Sequence, residues 1–89
     1  MESKTTRQFR QRYRQLPVEV RRQARQAYRL WQRDSRHPSL QFKRVSEHEP
    51  IYSARIGLHW RALAFVEGVT ITWFWIGSHA EYETRLKGR

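Results

Sequence analysis

The sequence predicts an α+β domain: an N-terminal helical hairpin packed on a mainly antiparallel four-stranded sheet, with a short C-terminal helix. Three observations carry that prediction. Apolar residues recur at helical spacing as far as about Asp34. Beyond Pro38 the period changes to two. The last three alternating runs are joined by tight connections, which favours a meander with the hairpin lying on one face. The 89 residues make one domain, 1–89, with material for one modest core. Four Trp, four Tyr and four Phe matter for that reason, since each buried aromatic removes about 150–250 Å² from water.

The elements follow in order. In "TTRQFRQRYRQLP", Thr5 or Thr6 can cap a first helix whose Phe9, Tyr13 and Leu16 share a face. Pro17 ends it and can occupy the first turn of the next helix. From Pro17 to about Asp34, Val20, Ala24, Ala27, Tyr28 and Trp31 form one stripe of an amphipathic helix. Arginines take its other faces, and Arg21, Arg25 and Arg29 are expected to meet phosphate from that basic outer surface. "DSRHPS" breaks the register. Leu40, Phe42 and Val45 then alternate with polar residues as a short strand. Ile51–Gly57, His59–Val66 and Val69–Ile76 read as three more, with Glu67-Gly68 as a hairpin turn. A final helix runs from Ser78 or His79 to Leu86.

Charge is distributed unevenly. Residues 1–44 carry 13 basic and three acidic side chains, whereas residues 45–89 carry five of each, so the net +10 sits in the N-terminal half. Fifteen of the 18 basic residues are arginine, suited to bidentate contacts with phosphate or carboxylate. A polyanionic or acidic partner fits this field, and so does a strongly solvated surface. With no cysteine, disulfides and thiolate metal sites are excluded. The four histidines lack metal-ligand spacing, no serine has a His/Asp relay, and no Gly-rich phosphate loop exists. Neither a metal nor a cofactor is expected. No stretch approaches the roughly 20 apolar residues of a membrane span, and no apolar leader is visible, so a cytoplasmic location is expected.

The groups left for chemistry are arginine, lysine, histidine and tyrosine. Arg55 and Arg61 interrupt otherwise apolar strands, where an unpaired charge costs several kcal/mol unless it finds a partner or water. Both can point to the sheet face that the hairpin leaves open, or pair with Glu47, Glu49 or Glu67. His79 follows the apolar run "TWFWIG" and has the intrinsic pKa for proton transfer near neutrality. A helical turn would bring Tyr82 beside it. Such groups suit phosphodiester chemistry, in which charge neutralisation supplies much of the rate.

The segments "LPVEVRRQARQAYRLWQRDSRHPSLQFKRV", "IYSARIGLHWRALAF" and "ITWFWIGSHAEYETRL" resemble, in order and spacing, the RelE/ParE superfamily of bacterial type II toxins. The resemblance covers about residues 9–86. It implies a helical hairpin on a curved antiparallel sheet and a cognate antitoxin with an acidic segment. Ribonuclease members of that superfamily cleave mRNA on the ribosome through basic residues of the sheet and C-terminal Arg, His or Tyr. By position, Lys43 and Arg44 match basic residues of the first strand after the hairpin. Arg55 matches the arginine of "Ser-x-Arg-Ile", Arg61 the arginine holding the scissile phosphate, and His79 and Tyr82 the groups after the last strand. Three features depart from the pattern: the family's first strand has no visible counterpart before Leu16, lysines are few, and a terminal His-Tyr pair is absent. A gyrase-poisoning branch shares the fold without those catalytic groups, so a non-enzymatic gyrase inhibitor and a plain nucleic-acid-binding module stand as alternatives.

Overall fold

In a computed structural model, which describes residues 2–87, the chain forms β1 (Glu2–Thr5), α1 (Arg7–Gln15), α2 (Val18–Arg33), a 3₁₀ turn (Pro38–Leu40), β2 (Lys43–Arg44), β3 (Ile51–Ile56), β4 (Trp60–Glu67), β5 (Thr70–Ser78) and α3 (His79–Lys87). The strands make one sheet in the order β1-β5-β4-β3-β2. All neighbours are antiparallel except β1 and β5, which run parallel.

The sheet therefore has five strands, not the expected four. The additional strand precedes the helix that the sequence does announce. Thr6 caps α1, its Oγ1 accepting from Phe9 N at 3.1 Å. Just before it, Glu2–Thr5 pairs with Thr70–Trp73. Glu2 N donates to Val69 O at 2.7 Å and Thr6 N to Trp73 O at 3.0 Å. This edge strand buries no side chain. Backbone bonds pair it with β5, and apolar periodicity cannot reveal such a strand.

A second correction concerns the segment after the hairpin. Leu40 is buried in the 3₁₀ turn, not in a strand. The His37 ring caps that turn by accepting from Ser39 N at 3.2 Å, and Gln41 follows at φ 45°, ψ 41°. Only Lys43–Arg44 remains to pair with β3.

The two faces of the sheet carry separate clusters. On the hairpin side, Ala24 and Trp31 of α2 pack against Ala54, Ile56, Ala62 and Trp73. Trp31 meets Trp73 edge-on at 5.5 Å and Phe42 at 6.0 Å. On the second side, Ile51, Leu63, Trp75 and Tyr82 form a smaller cluster, which α3 covers only in part. Burying each of these tryptophans contributes at most roughly 4–6 kcal/mol at 25 cal/mol/Å².

A β-bulge divides the tryptophans between the faces. Leu63 faces Trp75, but the next residue, Ala64, faces Trp73, so Phe74 is the extra residue. Strict alternation would put Trp73 and Trp75 on one face. The bulge sends Trp73 to the hairpin and delivers Phe74 and Trp75 to the second face. There Phe74 stacks on Phe65 at 4.6 Å.

Candidate functional site on the second face of the sheet

The register decides which polar side chains share this face. Arg55 lies directly opposite Arg61, while Lys43, Ser53, Leu63 and Trp75 form the adjacent cross-strand row. Directly paired residues project to the same side, so Lys43, Arg55 and Arg61 all face away from the hairpin.

Arg61 is the best-anchored of the three. Its Nη2 donates to Gln41 Oε1 at 2.7 Å and its Nη1 to Ser53 Oγ at 3.4 Å. Its Cζ lies 5.4 Å from the Tyr82 ring centroid. None of these partners is a carboxylate, and neither Arg61 nor Arg55 forms an ion pair among the described residues. The guanidinium is thus held in place with its charge uncompensated. Arg55 donates from Nε to Gly57 O at 2.9 Å, and Lys43 is exposed on the edge strand.

Tyr82 joins the sheet to α3. It is 6% exposed, and its ring lies 5.9 Å from that of His79. The imidazole and the Arg61 guanidinium both approach this ring, the latter at 5.4 Å, and are therefore at most about 11 Å apart. The His79 backbone N–H donates to His59 O at 2.6 Å. Its Nε2 sits 2.9 Å from Glu83 Oε1, an ion pair when the ring is protonated. Nδ1 has no partner among the described residues.

The start of α3 is fixed by a capping box. Ser78 Oγ accepts from Glu81 N at 3.1 Å, while Ser78 N and Oγ donate to Glu81 Oε1 at 3.0 and 3.1 Å. Arg12 reaches this point from α1. Its Nε donates to Ile76 O at 2.6 Å, its Nη2 to Glu81 Oε2 at 3.0 Å, and its guanidinium lies over the Trp75 ring at 5.0 Å. The hydrogen bond from the Ser78 backbone holds the Glu81 carboxyl below the usual range, with the contacts from Arg12 and the Ser78 hydroxyl adding to the shift and partial burial opposing it.

The remaining residues singled out from the sequence lie elsewhere. Arg44 pairs opposite Tyr52 and turns its Nε to Ser46 O at 2.9 Å. Arg21, Arg25 and Arg29 ride on α2, across the sheet from Arg61. Arg25 donates to the Tyr13 hydroxyl at 2.8 Å. Sequence reasoning missed Gln41 and Arg12. Gln41 is a non-glycine residue in the left-handed region, a conformation costing about 1 kcal/mol or more that clusters at functional sites. Among the described residues no group of three or more His, Cys, Asp or Glu could hold a metal ion.

The hairpin side has its own concavity, a groove of about 760 Å³ between α1 and α2. Phe9, Tyr13, Tyr28 and Trp31 form its walls over a floor that includes Ala54 and Trp73. Arg10, Arg14, Arg25 and Arg29 also line it.

A family model described as a ParE-like toxin domain matches residues 18–84. No curated protein matches the chain significantly. Among solved structures, a RelB–RelE antitoxin–toxin complex from Methanococcus jannaschii superposes with a TM-score of 0.73 at 16% identity, covering 92% of this chain and 96% of that one. A YoeB/ParE toxin from Agrobacterium tumefaciens gives 0.69 at 14% identity, over 89% and 99%. YafQ from E. coli gives 0.66 at 10%, over 91% and 96%. Identities this low speak for the fold alone.

Proposed function

The chain belongs to the family of ParE-like toxin domains, and on that premise we propose that it is the toxin of a toxin–antitoxin pair and cuts mRNA at the ribosome. The observation that carries this reading is that Arg61 and His79 both lie against the Tyr82 ring, with Arg55 and Lys43 on the same sheet face as Arg61.

The reaction is transesterification. A ribose 2′-OH attacks the adjacent phosphorus, the O2′–P bond forms and the P–O5′ bond breaks, leaving a 2′,3′-cyclic phosphate and a free 5′-OH. Arg61, held by Gln41 and Ser53, and Arg55 neutralise the charge that grows on the phosphate oxygens. His79 or Tyr82 exchanges the proton, taking it from O2′ or giving it to O5′. The open Nδ1 edge of His79 suits that exchange. Arg21, Arg25, Arg29 and Arg44 lie off this face and serve in holding polyanionic RNA outside the reaction site.

The antitoxin half of the proposal draws support from the groove on the hairpin side. An apolar trough lined by arginines fits an amphipathic segment with acidic flanks. A second reading, a non-enzymatic inhibitor of gyrase, is favoured by one feature: Arg25 and Arg29 are exposed on α2, away from His79.

The test is brief induction in a bacterium, followed by primer extension across several mRNAs, with Arg61→Ala and His79→Ala alongside. New translation-dependent 5′ ends that fall about 10²–10³-fold in each variant support the nuclease. Growth arrest with intact mRNA sinks it, and DNA breaks under the same conditions would point to gyrase.

A further inference from the structure

We propose that Arg12, on the first helix, is a positioning residue for the candidate catalytic face, holding the start of α3 and through it His79 and Tyr82. The inference rests on the nuclease reading for its consequence but not for its geometry.

Arg12 is the side chain that joins α1 to the root of α3. β1 covers the outer edge of β5 only as far as Trp73, so the Ile76 carbonyl on that edge lacks a strand partner from β1. Arg12 Nε supplies the missing donor at 2.6 Å. The other end of the same guanidinium grips Glu81 at 3.0 Å, and Glu81 in turn closes the Ser78 capping box. One planar group thereby ties a strand end to a helix cap while lying over the Trp75 ring. His79 and Tyr82 lie within the first turn that this group anchors.

Gly77 is shaped to the same contact. A Cβ there would fall 2.8 Å from Arg12 Nη2 and 2.6 Å from Trp75 Cζ2. The close approach of arginine and tryptophan needs the bare backbone.

A lysine cannot reproduce this. Its ammonium is a point charge on a flexible stem, without the rigid fork that meets a carbonyl and a carboxylate together. The three-way geometry therefore predicts that Arg12→Lys fails as Arg12→Gln does, whereas a generic surface ion pair would be rescued by lysine.

The test uses the full-length protein and the variants Arg12→Gln and Arg12→Lys. Amide hydrogen exchange is measured at residues 78–82 and, for comparison, at Leu63 and Ala64. The His79 and Tyr82 ring resonances are followed by NMR. In both variants, exchange at 78–82 is expected to rise at least tenfold while Leu63 and Ala64 are unchanged, with shifted ring signals for His79 and Tyr82. Glu81 titrates closer to its ordinary range. Cleavage falls in kcat by on the order of a hundredfold with KM within about twofold, as expected for misplaced rather than missing groups. Wild-type exchange and ring signals in Arg12→Gln, full rescue by lysine, or loosening spread evenly over the sheet would each overturn the proposal. If the wild-type protein cleaves nothing, the exchange and ring signals still decide the positioning claim.

Discussion

Replacing Gly77 by alanine tests the packing beneath the candidate site. No unusual backbone angle protects this glycine, so alanine is conformationally allowed and would by itself stabilise by about 0.4–1 kcal/mol through the unfolded chain. The opposing effect is steric. The added methyl would sit 2.6 and 2.8 Å from two carbons of the Trp75 ring, and 2.8 Å from the Arg12 guanidinium. Arg12 can swing aside, at the cost of its bonds to Ile76 O and Glu81. Trp75 cannot move freely, because it is 5% exposed and sits in the cluster with Leu63 and Tyr82. Overpacking of this kind costs about 1–3 kcal/mol; the middle of that range less the middle of the gain leaves a net loss of about 1.3 kcal/mol and a Tm lower by roughly 5–10 °C. Thermal melts followed by tryptophan fluorescence measure both the loss and the altered Trp75 environment. A Tm within about 2 °C of wild type and an unchanged emission spectrum would refute the argument.

Substitutions at two further positions separate charge and backbone effects. Glu81→Gln keeps a capping side chain but removes the charge. Because the folded state holds this carboxyl below its usual range, its stabilisation is present above the unfolded value near 4.3 and is lost as pH falls through the folded one. The exposed pair is worth less than about 1 kcal/mol, so the urea midpoints of variant and wild type should differ at pH 7 and converge as the carboxyl becomes protonated in acid, and a difference independent of pH would contradict this. Gly68 presents the opposite case, with a φ of 59° and open space within 4 Å of where a side-chain Cβ would stand. Gly68→Asn should cost a few tenths of a kcal/mol and Gly68→Val about 1–2 kcal/mol; equal midpoints in urea for the two would refute a backbone origin.

Much of this architecture was legible in the sequence. The apolar stripe of α2, the alternating strands and the helix after Gly77 all announce themselves through periodicity. Arg61 and Arg55 stood out as charges in apolar strands, and the register places them on one face. The parts that escaped share a different origin. The strand Glu2–Thr5 is polar and held by backbone bonds, so it leaves no hydrophobic imprint. The bulge at Phe74 reverses the face of Trp75, which strict alternation assigns wrongly. Gln41 meets Arg61 across 20 residues and Arg12 meets Ile76 across 64; contacts so distant leave no local pattern. Arg21, Arg25 and Arg29 were recognisable as a basic face, but only the layering of helix on sheet shows that this face is turned away from Arg61.

The parallel pairing of β1 with β5 also sets a clock on the birth of the molecule. Glu2 waits for Thr70, 68 residues later in the chain, which takes about 3–14 s at translation rates of 5–20 residues per second. Until then the sheet has no complete edge, α1 has no strand to lie beside, and Arg12 has neither Ile76 nor Glu81 to hold. Contacts of such long sequence separation form late and slowly. A nascent chain of this design consequently lacks its parallel edge pairing and both Arg12 contacts until residues 70–81 have been added.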